Sequence, residues 1–395
     1  MAADMIVDRI KVIDVDTHIT EPPNVWTDRV SRKKWGDRIP HIRAHPETGN
    51  PVWFINEKPS MGVANTAMAG WKEWPPSAPP TLEEADPAAW DSTARIALMD
   101  DYGLHAQLIY PNVGGFGNGN FLKLEDPELM LECVRAYNDF LTDWCSVDPK
   151  RLIPICATPF WDVDATVAEI ERCFKNGHKG VLFTGAPQNF GQEPIGHPQW
   201  EPVWHIAEDL GMPINFHIGS GGIDSLFAGS YPGAGIHANF AGGTVGIFLG
   251  NWKHIIDVII TGICHRHPNL NFVSVESGIG WLPFALEALE WQWYGTGVHE
   301  EHPEFDLGPT EYFKRQIHAC FWFEEKSAFS AIDQLGPDNF LYETDFPHPT
   351  SMSPGPKSPA VKPKDWVERV FGKLPEETQR KVLHDNAARI YHLDD

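Results

Sequence analysis

Eight short apolar runs with helical patterns between them predict a (β/α)8 TIM barrel, with loop insertions over its C-terminal mouth. Three observations carry that expectation. The runs are continuously apolar, as parallel strands buried on both faces require. Helical stretches separate most of them. Several runs end in aspartate, glutamate or histidine, and a barrel does its chemistry at the C-terminal ends of its strands. A doubly wound sheet is the alternative, but the glycine-rich phosphate turn that usually follows its first strand is missing.

In chain order, strands are expected over 12–15, 106–110, 152–157, 180–184, 213–218, 270–276, 318–323 and 340–345. Helices are expected near 91–102, 127–146, 164–176, 199–210, 254–266, 281–294, 326–335 and 376–391. The helix in "WEPVWHIAEDLGMP" is amphipathic and ends at Gly211. Segments 36–90 and 219–250 are rich in Gly, Pro and Trp and lack clear periodicity. They read as loop excursions that shape the pocket, so residues 1–395 are expected to form one domain.

The formal net charge of −23 disfavours nucleic acid and anionic membranes as partners, because it repels phosphate. Cysteines 133, 145, 156, 173, 264 and 320 form no C-x-x-C pair, which reads as reduced thiols in a cytoplasmic protein. The start, "MAADMIVDRIKVID", has no apolar signal region, and no apolar run reaches membrane-spanning length.

The candidate site begins in "KVIDVDTHITEPP", residues 11–23. Residues two apart in a strand face the same side, so Asp16 and His18 present an oxygen and an imidazole to one point. A metal ion or a hydrogen-bonded Asp–His pair would each explain that. His217 ends the fifth expected strand, Glu276 the sixth and Asp345 the eighth. Ligand-type residues at four strand ends favour the metal. The ends of the second and third strands, "LIYPN" and "ICATP", offer none as good. Glu21 either faces the metal or hydrogen-bonds the following loop. His237 either lines the pocket or is exposed, while His265 and His267 sit on the opposite rim and read as structural. Tryptophans within 53–90 and Trp161 are available to wall an apolar pocket.

The pattern D-x-D-x-H on the first strand, the lone histidine of "NFHIGS" and the run "YETDFPHP" resemble the amidohydrolase superfamily. With "RHPNLNFVSVESGIGWLPFALE" and "LHDNAARIYHL" they resemble most closely its amidohydrolase-2 (amidohydrolase-related) branch. That branch contains aminocarboxymuconate-semialdehyde decarboxylase and γ-resorcylate decarboxylase. The resemblance implies a divalent-metal site held by Asp16, His18, His217 and Asp345, with His348 in the "DFPH" turn beside a ligand or the substrate. Two positions depart from the pattern. The usual H-x-H is Asp16-Thr17-His18 here, a carboxylate having precedent in the E-x-H of the resorcylate-type enzymes. Where the branch commonly has a histidine before a glycine-rich turn, this chain has Glu276.

Three carboxylates, Asp16, Glu276 and Asp345, face two neutral imidazoles, and one divalent ion leaves that set anionic in a shielded mouth. The expected cofactor is therefore one or two divalent ions, Fe, Mn or Zn. Glu276 is either a ligand, bridging in a two-ion centre, or a hydrogen-bonding neighbour of a ligand histidine. Asp345, Glu276 and His348 are the candidates for proton transfer. The leading expectation is a hydrolase in which metal-activated water attacks a C–N or C–O bond of a small organic substrate. A non-oxidative decarboxylase of a small carboxylic acid is one alternative, and a dinuclear Fe or Fe/Mn oxygenase is another. A catalytically silent scaffold conflicts with five intact ligand-type residues. The chain is expected to form a homo-oligomer or to assemble with a related subunit.

Overall fold

In the computed structural model, which describes residues 5–222 and 232–393, the eight apolar runs form one parallel barrel. Its strands are β1 (Ile13–His18), β5 (Ala106–Tyr110), β6 (Leu152–Ala157), β7 (Gly180–Leu182), β8 (Ile214–His217), β9 (Phe272–Val275), β10 (Ile317–Phe321) and β11 (Phe340–Tyr342), neighbours in that order. The circle is completed just beyond β11. There the Asp345 amide donates to the Asp16 carbonyl at 2.9 Å, and the His18 amide donates to the Phe346 carbonyl at 2.7 Å.

Ile13, Val15, Leu108, Ile155, Leu182, Val273 and Leu341 fill the interior. Ala387, Ile390 and Tyr391 of the C-terminal helical segment join them, with Tyr391 reaching Gly180 at the start of β7. The barrel is thus a packed core closed at one end, leaving the other for the site. Helices clothe the outside. Asp91, Asp126 and Asp162 cap Ser92–Tyr102, Pro127–Cys145 and Val163–Lys175 by accepting backbone N–H groups of the first turn.

One irregularity positions the chemistry. β1 pairs Asp14 with Gln107 and His18 with Tyr110, so it advances four residues while β5 advances three. This bulge puts Asp14 and His18 on opposite faces, where strict alternation would put them together. Asp14 turns outward to accept from Gln107 Nε2 (3.0 Å) and the Thr344 amide (2.8 Å). Asp16 and His18 turn into the mouth.

The segments expected to be loops contain regular structure. Within 36–90, β2 (His41–Ala44), β3 (Pro51–Ile55) and β4 (Lys58–Gly62) make a small antiparallel sheet. Proline at positions 51 and 59 and the exposure of most of β4 hide its alternation. Within 219–250, where 223–231 lie outside the described residues, Ile236–Phe248 is a helix despite Gly242, Gly243 and Gly246. Helices Pro309–Gln316 and Pro363–Phe371 were likewise not expected. His267 is buried with its two ring nitrogens 2.9 Å from Glu201 and Glu208, the structural role its position suggests. No helix among the described residues is long and apolar enough to cross a membrane.

Candidate active site

Six of the side chains singled out in the sequence meet at the open end of the barrel. Asp16 and His18 come from β1, His217 from β8, Glu276 from just past β9, and Asp345 and His348 from the turn after β11. His18 Nε2 lies 3.0 Å from His217 Nε2, 3.3 Å from Asp16 Oδ1 and 3.8 Å from Asp345 Oδ1. His217 Nε2 is 3.2 Å from Glu276 Oε2 and 3.6 Å from Asp16 Oδ2. The His348 ring stacks on His18 with centroids 3.8 Å apart, and its Nδ1 is 2.7 Å from Asp345 Oδ1. All six are buried.

Glu276 and Asp345 both have φ of 57°, in the left-handed region that non-glycine residues avoid. Each such residue costs on the order of 1–3 kcal/mol and persists where the surroundings over-determine it. Here it turns two carboxylates back over the barrel mouth, where Thr350 Oγ1 donates to Asp345 Oδ2 and, at 3.3 Å, approaches Glu276 Oε1.

The hydrogen bonds fix which ring nitrogens are free. Nδ1 of His18 donates to the Pro111 carbonyl at 3.0 Å, and Nδ1 of His217 donates to the Ile218 carbonyl at 2.7 Å. Both Nε2 atoms therefore carry lone pairs and point at each other. Both oxygens of Asp16 are buried and accept no hydrogen bond. Such an arrangement is repulsive until a cation stands among the donors. Two imidazole nitrogens and carboxylate oxygen suit Mn, Fe or Zn, so the residues fit the divalent ion that their sequence pattern suggests.

Charge perturbs the whole cluster. Burial pushes the Glu276 carboxyl well above its ordinary range, and Asp345, Asp16 and Glu343 push it further. Burial and the nearby Asp16 do the same to Glu343. Burial and the charge of His348 bring His18 down to about 4. Burial also opposes ionisation of Asp16, but the facing His217 and His18 hold its carboxyl below the usual range.

Four supporting residues were not singled out in the sequence. Glu343 Oε2 accepts from the Glu276 amide at 3.1 Å, holding the strained turn. Asn112, at the strand end that offered no ligand, lies with Oδ1 2.9 Å from His348 Nε2. Phe116, in the glycine-rich loop after β5, covers the cluster, with ring centroids 4.3 Å from His217 and 5.2 Å from His18. Arg95, fully buried behind β1, donates to the His18 carbonyl at 2.7 Å. Adjacent aspartate, histidine and glycine motifs draw the eye in the sequence; neutral or outward-facing supports carry no such mark.

Other candidates resolve differently. Glu21 does not join the cluster, because its Oε1 accepts from the amides of Asn112 (2.9 Å) and Val113 (3.0 Å). His237 is on the wall of a cleft of about 780 Å³ above the mouth, its Nδ1 2.7 Å from the Pro75 carbonyl. Trp74, Phe240, Phe248 and Phe323 line the same cleft, and Thr350 joins it to the carboxylates. Trp161 instead packs on Phe160.

Fold and candidate site together define a barrel with a buried cluster of metal-ligating residue types at the strand ends of its mouth. The chain belongs to the amidohydrolase family, whose model matches residues 13–393, and is an enzyme of hydrolase or carboxy-lyase type. It is 25% identical over 307 residues to γ-resorcylate decarboxylase of Rhizobium radiobacter, covering 76% of this chain and 86% of that protein. It is 21% identical over 330 residues to the 2-amino-3-carboxymuconate-6-semialdehyde decarboxylase of Dictyostelium discoideum, covering 79% and 80%. Among solved structures, an amidohydrolase from Mycobacterium avium subsp. paratuberculosis superposes with a TM-score of 0.75 at 21% identity, covering 97% of this chain and 99% of that one. A 5-carboxyvanillate decarboxylase from Novosphingobium aromaticivorans, complexed with manganese and a nitrobenzoic acid, superposes with a TM-score of 0.66 at 16% identity, covering 97% and 96%.

Proposed function

We propose that this protein is a divalent-metal-dependent, non-oxidative decarboxylase of a small carboxylic acid, with a hydroxybenzoate-like acid as the first class to try. The observation that supports it most is the pair of facing imidazole lone pairs beside an unsatisfied Asp16, in a chain whose named curated relatives above are decarboxylases. Those relatives favour this reading over the hydrolytic one that the sequence put first.

Asp16, His18 and His217 would hold the ion, with Glu276 and Asp345 within reach of it. Manganese is the first choice, because similar decarboxylase structures hold it. When bound, the ion supplies the positive charge that draws a substrate carboxylate into an otherwise anionic mouth. The chain does the rest. Phe116 and the cleft aromatics exclude water and hold the apolar part of the substrate. Loss of CO2 breaks the bond between the carboxyl carbon and its neighbour and leaves the electron pair on that neighbour. A proton held between Asp345 Oδ1 and His348 Nδ1 replaces the lost group, and the free carboxylate and ring then recover a proton from water. Six buried, free thiols fit a reducing cytoplasm. Exposed Phe284, Trp291 and Tyr294 on helix Leu282–Gly295 fit assembly with another subunit.

The test is manganese-reconstituted protein incubated without dioxygen against a panel of small carboxylic acids, amides, esters and lactones. The expected result is stoichiometric CO2 from at least one acid, with one deuterium at the vacated carbon in D2O. Hydrolysis of an amide, ester or lactone without CO2 from any acid, or turnover only with dioxygen, would overturn the reading.

A further inference from the structure

We infer that the substrate is an amphiphilic carboxylate whose apolar body extends well beyond one ring and lies in the cleft above the barrel mouth. This rests on the decarboxylase reading and specifies the class of acid that the site takes.

The cleft is too large for a single ring. It holds about 780 Å³, and pockets of roughly 300–1,000 Å³ are the size that encloses drug-sized ligands. A one-ring hydroxybenzoate fills only a fraction of that space. The cleft also opens directly onto the cluster, because Thr350 lines it and donates to Asp345 Oδ2.

Its wall is built to be apolar. Helix Ile236–Phe248 contains no lysine, arginine, aspartate or glutamate, and of its side chains only Ile247 is buried. A helix that is apolar all round is ordinarily covered. His237, Phe240, Ala241, Thr244, Val245 and Phe248 recur at helical spacing on one face, and that face lines the cleft. The helix is pinned in place at both ends. His237 Nδ1 donates to the Pro75 carbonyl at 2.7 Å, and Phe248 packs on Phe323 with ring centroids 5.6 Å apart. Trp74, Val245 and Phe323 nevertheless remain 53%, 60% and 51% exposed, so apolar surface stands open to an occupant.

Charge selects the other half of that occupant. The chain has 54 acidic residues against 31 basic ones. Yet among the described residues that line the cleft none is aspartate or glutamate, and Arg369 is the one lysine or arginine. Glu325, which Arg369 also attracts, is already held by Lys373. An acid-free cleft with one guanidinium admits a carboxylate that the rest of the surface repels. Its apolar walls then hold the body of the molecule while the carboxylate reaches the mouth.

The test is CO2 release by Mn²⁺-reconstituted protein from hydroxybenzoates carrying hydrogen, butyl or octyl, in turn at each ring carbon remote from the carboxyl group, and from a hydroxynaphthoate. In at least one series kcat/KM should rise by about tenfold or more from hydrogen to butyl, mostly through KM. A gain with the hydroxynaphthoate alone would equally support the inference and identify the body as fused rings. Titration calorimetry with the matching alkylbenzoates should show affinity climbing with chain length and a negative heat-capacity change. Val245→Glu, at an exposed position on the cleft wall, should flatten both dependences. CO2 released with equal kcat/KM from every acid would overturn the inference and leave the decarboxylase standing. So would a chain-length gain that persists in Val245→Glu, because the apolar body would then lie elsewhere. No CO2 from any acid would overturn the decarboxylase reading, and the calorimetric series then decides the occupant alone: affinity independent of chain length would overturn the inference too.

Discussion

Asn112 bears no charge, yet it sets the state of His348. Its amide is fixed by the Ile19 carbonyl, and its own backbone N–H is held by Glu21, so the orientation of one ring depends on a carboxylate outside the cluster. Residues that orient ligand or proton-carrying side chains are typically worth about 10–100-fold in activity or affinity. Asn112→Ala should therefore lower kcat by roughly that factor. It should leave Mn²⁺ binding by Asp16, His18 and His217 intact and the melting temperature within a few degrees of wild type. Unchanged kcat would show that stacking on His18 and the contact with Asp345 hold the ring without Asn112. The six clustered residues were legible in the sequence because aspartate and histidine at strand ends are conspicuous. Asn112, Glu343 and Phe116 were not, since each acts through the backbone, a neighbour's hydrogen bond or a ring face, none of which has a spacing signature.

The barrel strands were legible to within a few residues because strands buried on both faces must be apolar throughout. What the pattern could not convey was the bulge in β1. Read as a regular strand, Asp14, Asp16 and His18 share a face. The extra residue sends Asp14 outward to Gln107 and Thr344 and leaves the inner face to Asp16 and His18. The antiparallel sheet β2–β4 and the helix Ile236–Phe248 escaped for the opposite reason. The helix lines the cleft above the mouth, and the sheet packs through Trp53 on Trp26. Both are stabilised by what they rest on, so their own sequences are interrupted by proline and glycine.

The molecule as a whole buries imidazoles far from the mouth as well, and these couple folding to pH. Burial, opposed by the nearby Glu169, brings His178 down to about 4, and burial with a lesser contribution from Arg389 brings His318 down to about 3. In the unfolded chain both titrate near the ordinary histidine value of about 6.5. Protons then bind the unfolded state first, so their contribution to stability is complete above about pH 6.5 and is lost as pH falls towards the folded values. The urea midpoint should drop steadily over that window. His318→Gln, which can keep the bond to Asn271, should flatten the drop, and an identical pH slope in the variant would rule out this origin. The larger claim is that two strand ends, those of β1 and β8, deliver Asp16, His18 and His217 to one cation. Anomalous diffraction from crystals of the Mn²⁺-loaded protein tests it most directly. The account predicts a strong manganese peak bonded to both Nε2 atoms and to an Asp16 oxygen, lost in His217→Ala. No peak there at saturating Mn²⁺, or a peak that survives the substitution unchanged, would contradict it.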